Sequence, residues 1–73
     1  MKRVPVESEA MLSVGYDPAR RVLEIEFVDL DIYDYFDVPA SAHRALMRAE
    51  SHGRHFAECI RDRYPLERVV DAG

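Results

Sequence analysis

The side chains best suited to chemistry are gathered between Glu50 and Cys59. Glu50, Ser51 and His52 are the residue types of a hydrolytic triad, and His52-x-x-His55-x-x-x-Cys59 offers the imidazole and thiolate that suit zinc. The spacing argues against both. Adjacent residues on a helix do not face one another, so Glu50, Ser51 and His52 cannot relay a proton there. Ser51 reads instead as a helix N-cap. His55 and Cys59 share a helical stripe, but no fourth ligand is evident. Cys59 falls between Phe56 and Ile60 on the apolar stripe, where a free cysteine acts as a small hydrophobe. Asp29, Asp31, Asp34 and Asp37 lack the spacing of a calcium loop. There is no glycine-rich phosphate loop. The expectation is a non-catalytic protein with no metal and no cofactor.

Recognition chemistry remains. Arg44, Arg48, Arg54 and Arg61 could meet phosphates, and Tyr33 and Tyr35 could stack on unpaired bases. The tyrosines can do so only if they face outward, beside Glu24 and Glu26, which repel phosphate. Otherwise they are core, and the arginines pair with Glu50, Glu58 and Asp62. The net charge of −4 is unevenly spread. Residues 1–38 hold four cations against nine acids, and residues 39–73 hold six arginines against five acids. A polyanion would therefore approach the second half, which also holds His43, His52 and His55.

A chain of 73 residues is one domain, here with a core spanning about residues 3–69. Such a chain buries only about 60 per cent of the surface its unfolded form exposes, so it has no room for a large ligand cavity. One cysteine excludes an internal disulfide and fits a reducing compartment. Met1-Lys2-Arg3 is not followed by an apolar run, and no stretch approaches the ~20 apolar residues that span a bilayer. These features point to the cytoplasm and away from a membrane.

The elements that must position these residues change period at Pro39. Val4-Pro5-Val6 is a lead-in or a short edge strand, because proline cannot donate to a ladder. Ala10–Tyr16 alternates, with Leu12, Val14 and Tyr16 on one face. Asp17-Pro18-Ala19-Arg20 suits a type I turn. Arg21–Val28 sends Leu23, Ile25 and Phe27 inward and Glu24 and Glu26 outward. After Asp29-Leu30-Asp31, residues Ile32–Val38 make a third strand. Helical spacing then runs over Ser41–Ala49, through Ala42, Ala45, Leu46 and Ala49. It resumes over about Arg54–Tyr64, through Phe56, Cys59 and Ile60, until Pro65 stops it. Leu66, Val69 and Val70 form a short apolar tail. The expected fold is a two-layer α+β domain: a three-stranded antiparallel meander packed against two C-terminal helices.

The third strand can sit in two registers. A two-residue turn sends Ile32 and Phe36 to the core and buries Asp34 without a partner, which is costly. A bulge at Asp29–Asp31 slips the pairing by one residue, sends Tyr33 and Tyr35 inward with their hydroxyls at the rim of the core, and leaves Asp34 solvated. The second is favoured. It leaves Val22, Val28, Ile32 and Phe36 near the outer face, an apolar patch that would suit a protein partner or a homodimer.

Several segments occur in an order that resembles the KTSC domain, a family named for the C-terminal extension of some bacterial lysyl-tRNA synthetases. They are Val14-Gly15-Tyr16-Asp17, Leu23-x-Ile25-x-Phe27, Tyr33-x-Tyr35-Phe36-x-Val38-Pro39, Ala49-x-Ser51-x-Gly53-Arg54-x-Phe56 and Ile60-Arg61-x-x-Tyr64-Pro65. The resemblance spans roughly Arg3–Val69 and implies a stand-alone bacterial member of the family. From the family's attachment to a synthetase it also implies RNA or tRNA as a partner. Asp34, where the family often has a basic or neutral polar residue, and the glycine-free turn Asp29-Leu30-Asp31 both add negative charge to the sheet.

Overall fold

Five strands, not three, form the sheet in the computed structural model, which describes residues 1–69. They are β1 (Arg3–Pro5), β2 (Met11–Asp17), β3 (Val22–Phe27), β4 (Ile32–Tyr35) and β5 (Leu66–Val69). Each is antiparallel to its neighbour, in the order β1-β2-β3-β4-β5. Two helices, α1 (Ala40–Arg48) and α2 (His52–Cys59), lie between β4 and β5 in sequence. The fold class is α+β, as expected. The two strands beyond the meander are the N-terminal segment, which takes the edge-strand alternative, and the tail. Val70, expected in that tail, lies outside the described residues.

The turns set the register. Asp17 Oδ1 accepts from the Ala19 and Arg20 amides at 3.1 and 3.3 Å, closing the first turn. In the second, the Leu30 amide donates to the Phe27 carbonyl and the Phe27 amide donates to Asp31, both at 2.9 Å. Leu30 sits at φ 75°, so the loop is a three-residue turn with a left-handed last residue. The odd length slips β4 by one position. Leu23 lies opposite Tyr35 and Ile25 opposite Tyr33. Tyr33 and Tyr35 therefore face the helices, and Asp34 faces outward.

The inner face collects Met11, Val14, Leu23, Ile25 and Tyr35, which pack with Val38, Leu46, Phe56 and Ile60. Phe56 is the hub, with its ring edge-on to Phe27 at 5.3 Å and to Tyr35 at 5.5 Å. Leu12, which alternation places on one face with Val14 and Tyr16, is 39% exposed, and Met11 is fully buried instead. The register shifts between Met11 and Ser13, and this bulge moves Met11 to the core face.

Helix α1 follows Pro39, whose carbonyl accepts from the Ala42 amide at 3.0 Å. Only Leu46 of α1 is fully buried, while Ala42 and Met47 pack at the margin. Ala45, one of the residues at helical spacing, is exposed. Helix α2 is capped as predicted: Ser51 Oγ accepts from the Arg54 amide at 3.2 Å. It is shorter than its spacing suggests. After Cys59 the chain turns, the Ile60 and Arg61 amides both donating to the Phe56 carbonyl at 2.9 Å. Ile60 stays buried, but Cys59 is exposed, contrary to its expected place on the apolar stripe. Gly53 explains how closely α2 approaches the segment before β2: a Cβ there would lie 3.0 Å from the Ala10 side chain.

Candidate functional site

The sheet presents one face to the helices and the other to solvent, so the candidate residues sort by layer. On the helical side, Arg44 and Arg48 stand one turn apart on α1. Both are exposed, and neither makes an ion pair among the described residues. Arg54, in the first turn of α2, reaches Glu58 at 3.1 Å in an exposed i,i+4 pair. Arg61, just beyond α2, lies 3.9 Å from Asp62, also in the open. Exposed pairs of this kind are worth about 0–1 kcal/mol, so a phosphate could displace either. The four expected cations are thus accessible, and all belong to the helices or their connection.

The tyrosines fare differently. Tyr35 is 3% exposed and packs against Phe56, so it cannot stack on a base. Burial first, then neighbouring Tyr33, pushes its hydroxyl up to about 12, with Arg61 opposing, so it stays neutral at any physiological pH. Tyr33 is half-buried, with its ring edge toward Phe27 at 6.0 Å. The inward register takes Tyr35 out of the proposed base-stacking pair and leaves Tyr33 at the rim of the core.

His43, on α1, stacks on Tyr16 at 4.7 Å, and the Tyr16 hydroxyl donates to the Val38 carbonyl at 2.6 Å. Burial first, then Arg44, holds the His43 imidazole below its ordinary range. His52 Nδ1 lies 2.8 Å from the Leu46 carbonyl and ties α2 to the end of α1. Among the described residues, no three His, Cys, Asp or Glu side chains are gathered as metal ligands.

Of the four residues expected to form an apolar patch on the solvent face, one is closed off. Val22 is 3% exposed and unavailable to a partner. Val28 lies in the turn and is 51% exposed. Ile32 and Phe36 are half-buried and lie two residues on either side of Asp34. Across the middle of the face runs a charged row. Arg3 is opposite Gly15, Gly15 opposite Glu24, Glu24 opposite Asp34, and Asp34 opposite Glu67. Arg3 bonds Glu24 at 2.7 Å and Ser13 at 3.0 Å, and Ser13 donates to Glu26 at 3.1 Å. A Cβ on Gly15 would lie 2.9 Å from the Lys2 carbonyl and 3.0 Å from Arg3 Cγ, so glycine lets β1 bring Arg3 across. Sequence alternation identified the outward glutamates. It could not reveal that Asp34 and Glu67 extend them into a row, because that depends on the slipped register and on β5.

No helix among the described residues is long and apolar enough to cross a membrane. The sequence profile of the KTSC domain matches residues 7–64. An uncharacterised protein of Stutzerimonas stutzeri is 41% identical over 64 residues, covering 88% of this chain and 90% of that protein. A lysine–tRNA ligase of Nostoc punctiforme is 32% identical over 63 residues, covering 86% of this chain but only 11% of the ligase. The crystal structure of a KTSC domain protein from Yersinia pestis superposes with a TM-score of 0.92 at 40% identity, covering 94% of this chain and 97% of that one.

Proposed function

The chain belongs to the KTSC domain family, and from that premise we propose that it is a small non-catalytic binding module that contacts RNA through its helical side. Arg44, Arg48, Arg54 and Arg61 supply the phosphate contacts. The observation that carries this reading is the exposure of Arg44 and Arg48, without ion-pair partners among the described residues, on the layer opposite the carboxylate row. Backbone phosphates gain from cations that need not first break a strong internal pair. The likeness to a segment of a lysine–tRNA ligase supports the choice of partner, since that enzyme acts on tRNA. With Tyr35 buried, base stacking contributes little, and the contact is mainly electrostatic and weakly sequence-dependent.

Fluorescence anisotropy with labelled tRNA tests this. Four phosphate contacts give a log–log salt slope of about −3. Replacing Arg44 and Arg48 together with alanine should flatten the slope by about 1 to 2 and weaken binding at low salt. Ile32→Glu and Phe36→Glu should leave binding unchanged. No binding at low salt would overturn the proposal and turn attention to protein partners of the solvent face.

A further inference from the structure

The carboxylate row on the solvent face contains a group whose surroundings suit a neutral acid better than an anion. Asp34 lies between Glu24 on β3 and Glu67 on β5, each directly opposite it in register. Its Oδ1 is buried and receives no hydrogen bond from any donor among the described residues. Its cross-strand neighbour on β3 is Glu24, another carboxylate. Two ionised carboxylates have no donor between them, and one proton supplies it. Glu24 is already held at Oε2 by Arg3, 2.7 Å away, which favours keeping its charge and leaving the proton on Asp34.

We propose that Asp34 and Glu24 share a single proton and that its uptake fastens the edge strand β5 to the sheet. The coupling runs through Glu67. With Asp34 charged, like charges face each other across the β4–β5 ladder, which destabilises a cross-strand pair. With Asp34 neutral, that repulsion vanishes. β5 is sensitive to so small a change because it is a four-residue edge strand with three exposed residues. The other charges near Asp34 are few. Arg20 approaches from the β2–β3 turn and favours the anion. Arg68 on β5 lines the same hollow as Asp34 and Glu67, but its guanidinium bonds Asp31 at 2.8 Å. Burial first, then the Glu24 hydrogen bond and the Glu24 charge, raises the Asp34 carboxyl to about 6, with Glu67 adding and Arg20 opposing.

The test is side-chain carboxyl carbon NMR on the whole chain, together with amide exchange in β5, between about pH 4.5 and 8. Asp34 should titrate near pH 6. After correction for intrinsic exchange, β5 protection should rise on acidification by several-fold. The ceiling is about tenfold at one pH unit below the midpoint. Asp34→Asn should abolish the pH dependence of β5 protection while the strands stay paired. Glu24→Gln should lower the Asp34 midpoint. Asp34 titrating in the ordinary aspartate range, or β5 protection with the same pH dependence in Asp34→Asn, would overturn the proposal. These readouts contain no RNA, so they stand or fall apart from the binding module.

Discussion

Leu23 and Glu24 are neighbours in sequence, yet they end on opposite sides of one sheet and are held by different physics. Leu23 is fully buried in a core where each methylene removed from water is worth about 0.8 kcal/mol. Glu24 stands on the solvent face, held by Arg3 and pressed by Asp34. The inner face gains from every group it adds. On the outer face each added carboxylate after the first must be offset by a cation or a proton. Stability is therefore concentrated on one side, and adjustable charge on the other. The helices that cover the stable side also display the accessible arginines.

The largest effect should come from the inner face. Phe56→Ala removes the ring that Phe27 and Tyr35 pack against, and urea unfolding should show a loss of about 3–5 kcal/mol. On the outer face Arg3→Ala should cost less, about 1–3 kcal/mol, because it strands Glu24, whose side chain is only 12% exposed, beside Asp34. Asp34→Asn should move stability the other way. The folded value near 6 lies above the unfolded one, so the folded state takes up a proton first. The stabilisation is present at low pH and is lost as pH rises through about 6. Asp34→Asn should thus exceed the wild type above pH 6, with the advantage shrinking toward pH 4. Comparing variant with wild type at each pH is essential, because His43 pulls in the opposite direction. Its imidazole is held below the ordinary range, so protonating it costs stability as pH falls. The smallest effect should be that of Arg54→Ala, within about 0.5 kcal/mol, since its pair with Glu58 is fully in the open.

How much of this was legible depended on whether a feature was local. Leu23-x-Ile25-x-Phe27 announced a strand and its buried face. Ser51 announced the cap of α2. The choice between registers for Tyr33 and Tyr35 follows from the penalty on a buried Asp34, and the left-handed Leu30 realises it, but Asp34 is not the solvated residue expected: its Oδ1 is buried between neighbouring strands. The misses were non-local. Leu66-Glu67-Arg68-Val69 carries two charges and no periodic signal, so its pairing rests on backbone hydrogen bonds to β4 that no sequence pattern reports. The bulge between Met11 and Ser13 exchanged Leu12 for Met11 in the core. Cys59 looked apolar by spacing, but the chain leaves the helix there and only Ile60 turns inward. The Tyr35 ring was a candidate for bases only while its face was open. Of the expected outer patch, Val22 is buried, while Val28 is exposed and Ile32 and Phe36 stay half-buried on either side of Asp34.

Contact of RNA with the helical side rather than the sheet's outer face is decided by mapping amide shifts of the labelled protein on titration with tRNA at low salt. Shifts are expected at and around Arg44, Arg48, Arg54 and Arg61 that fade as salt is raised, with Glu24, Asp34 and Glu67 unmoved. Shifts centred on the outer face, or none at any residue at low salt, would contradict it.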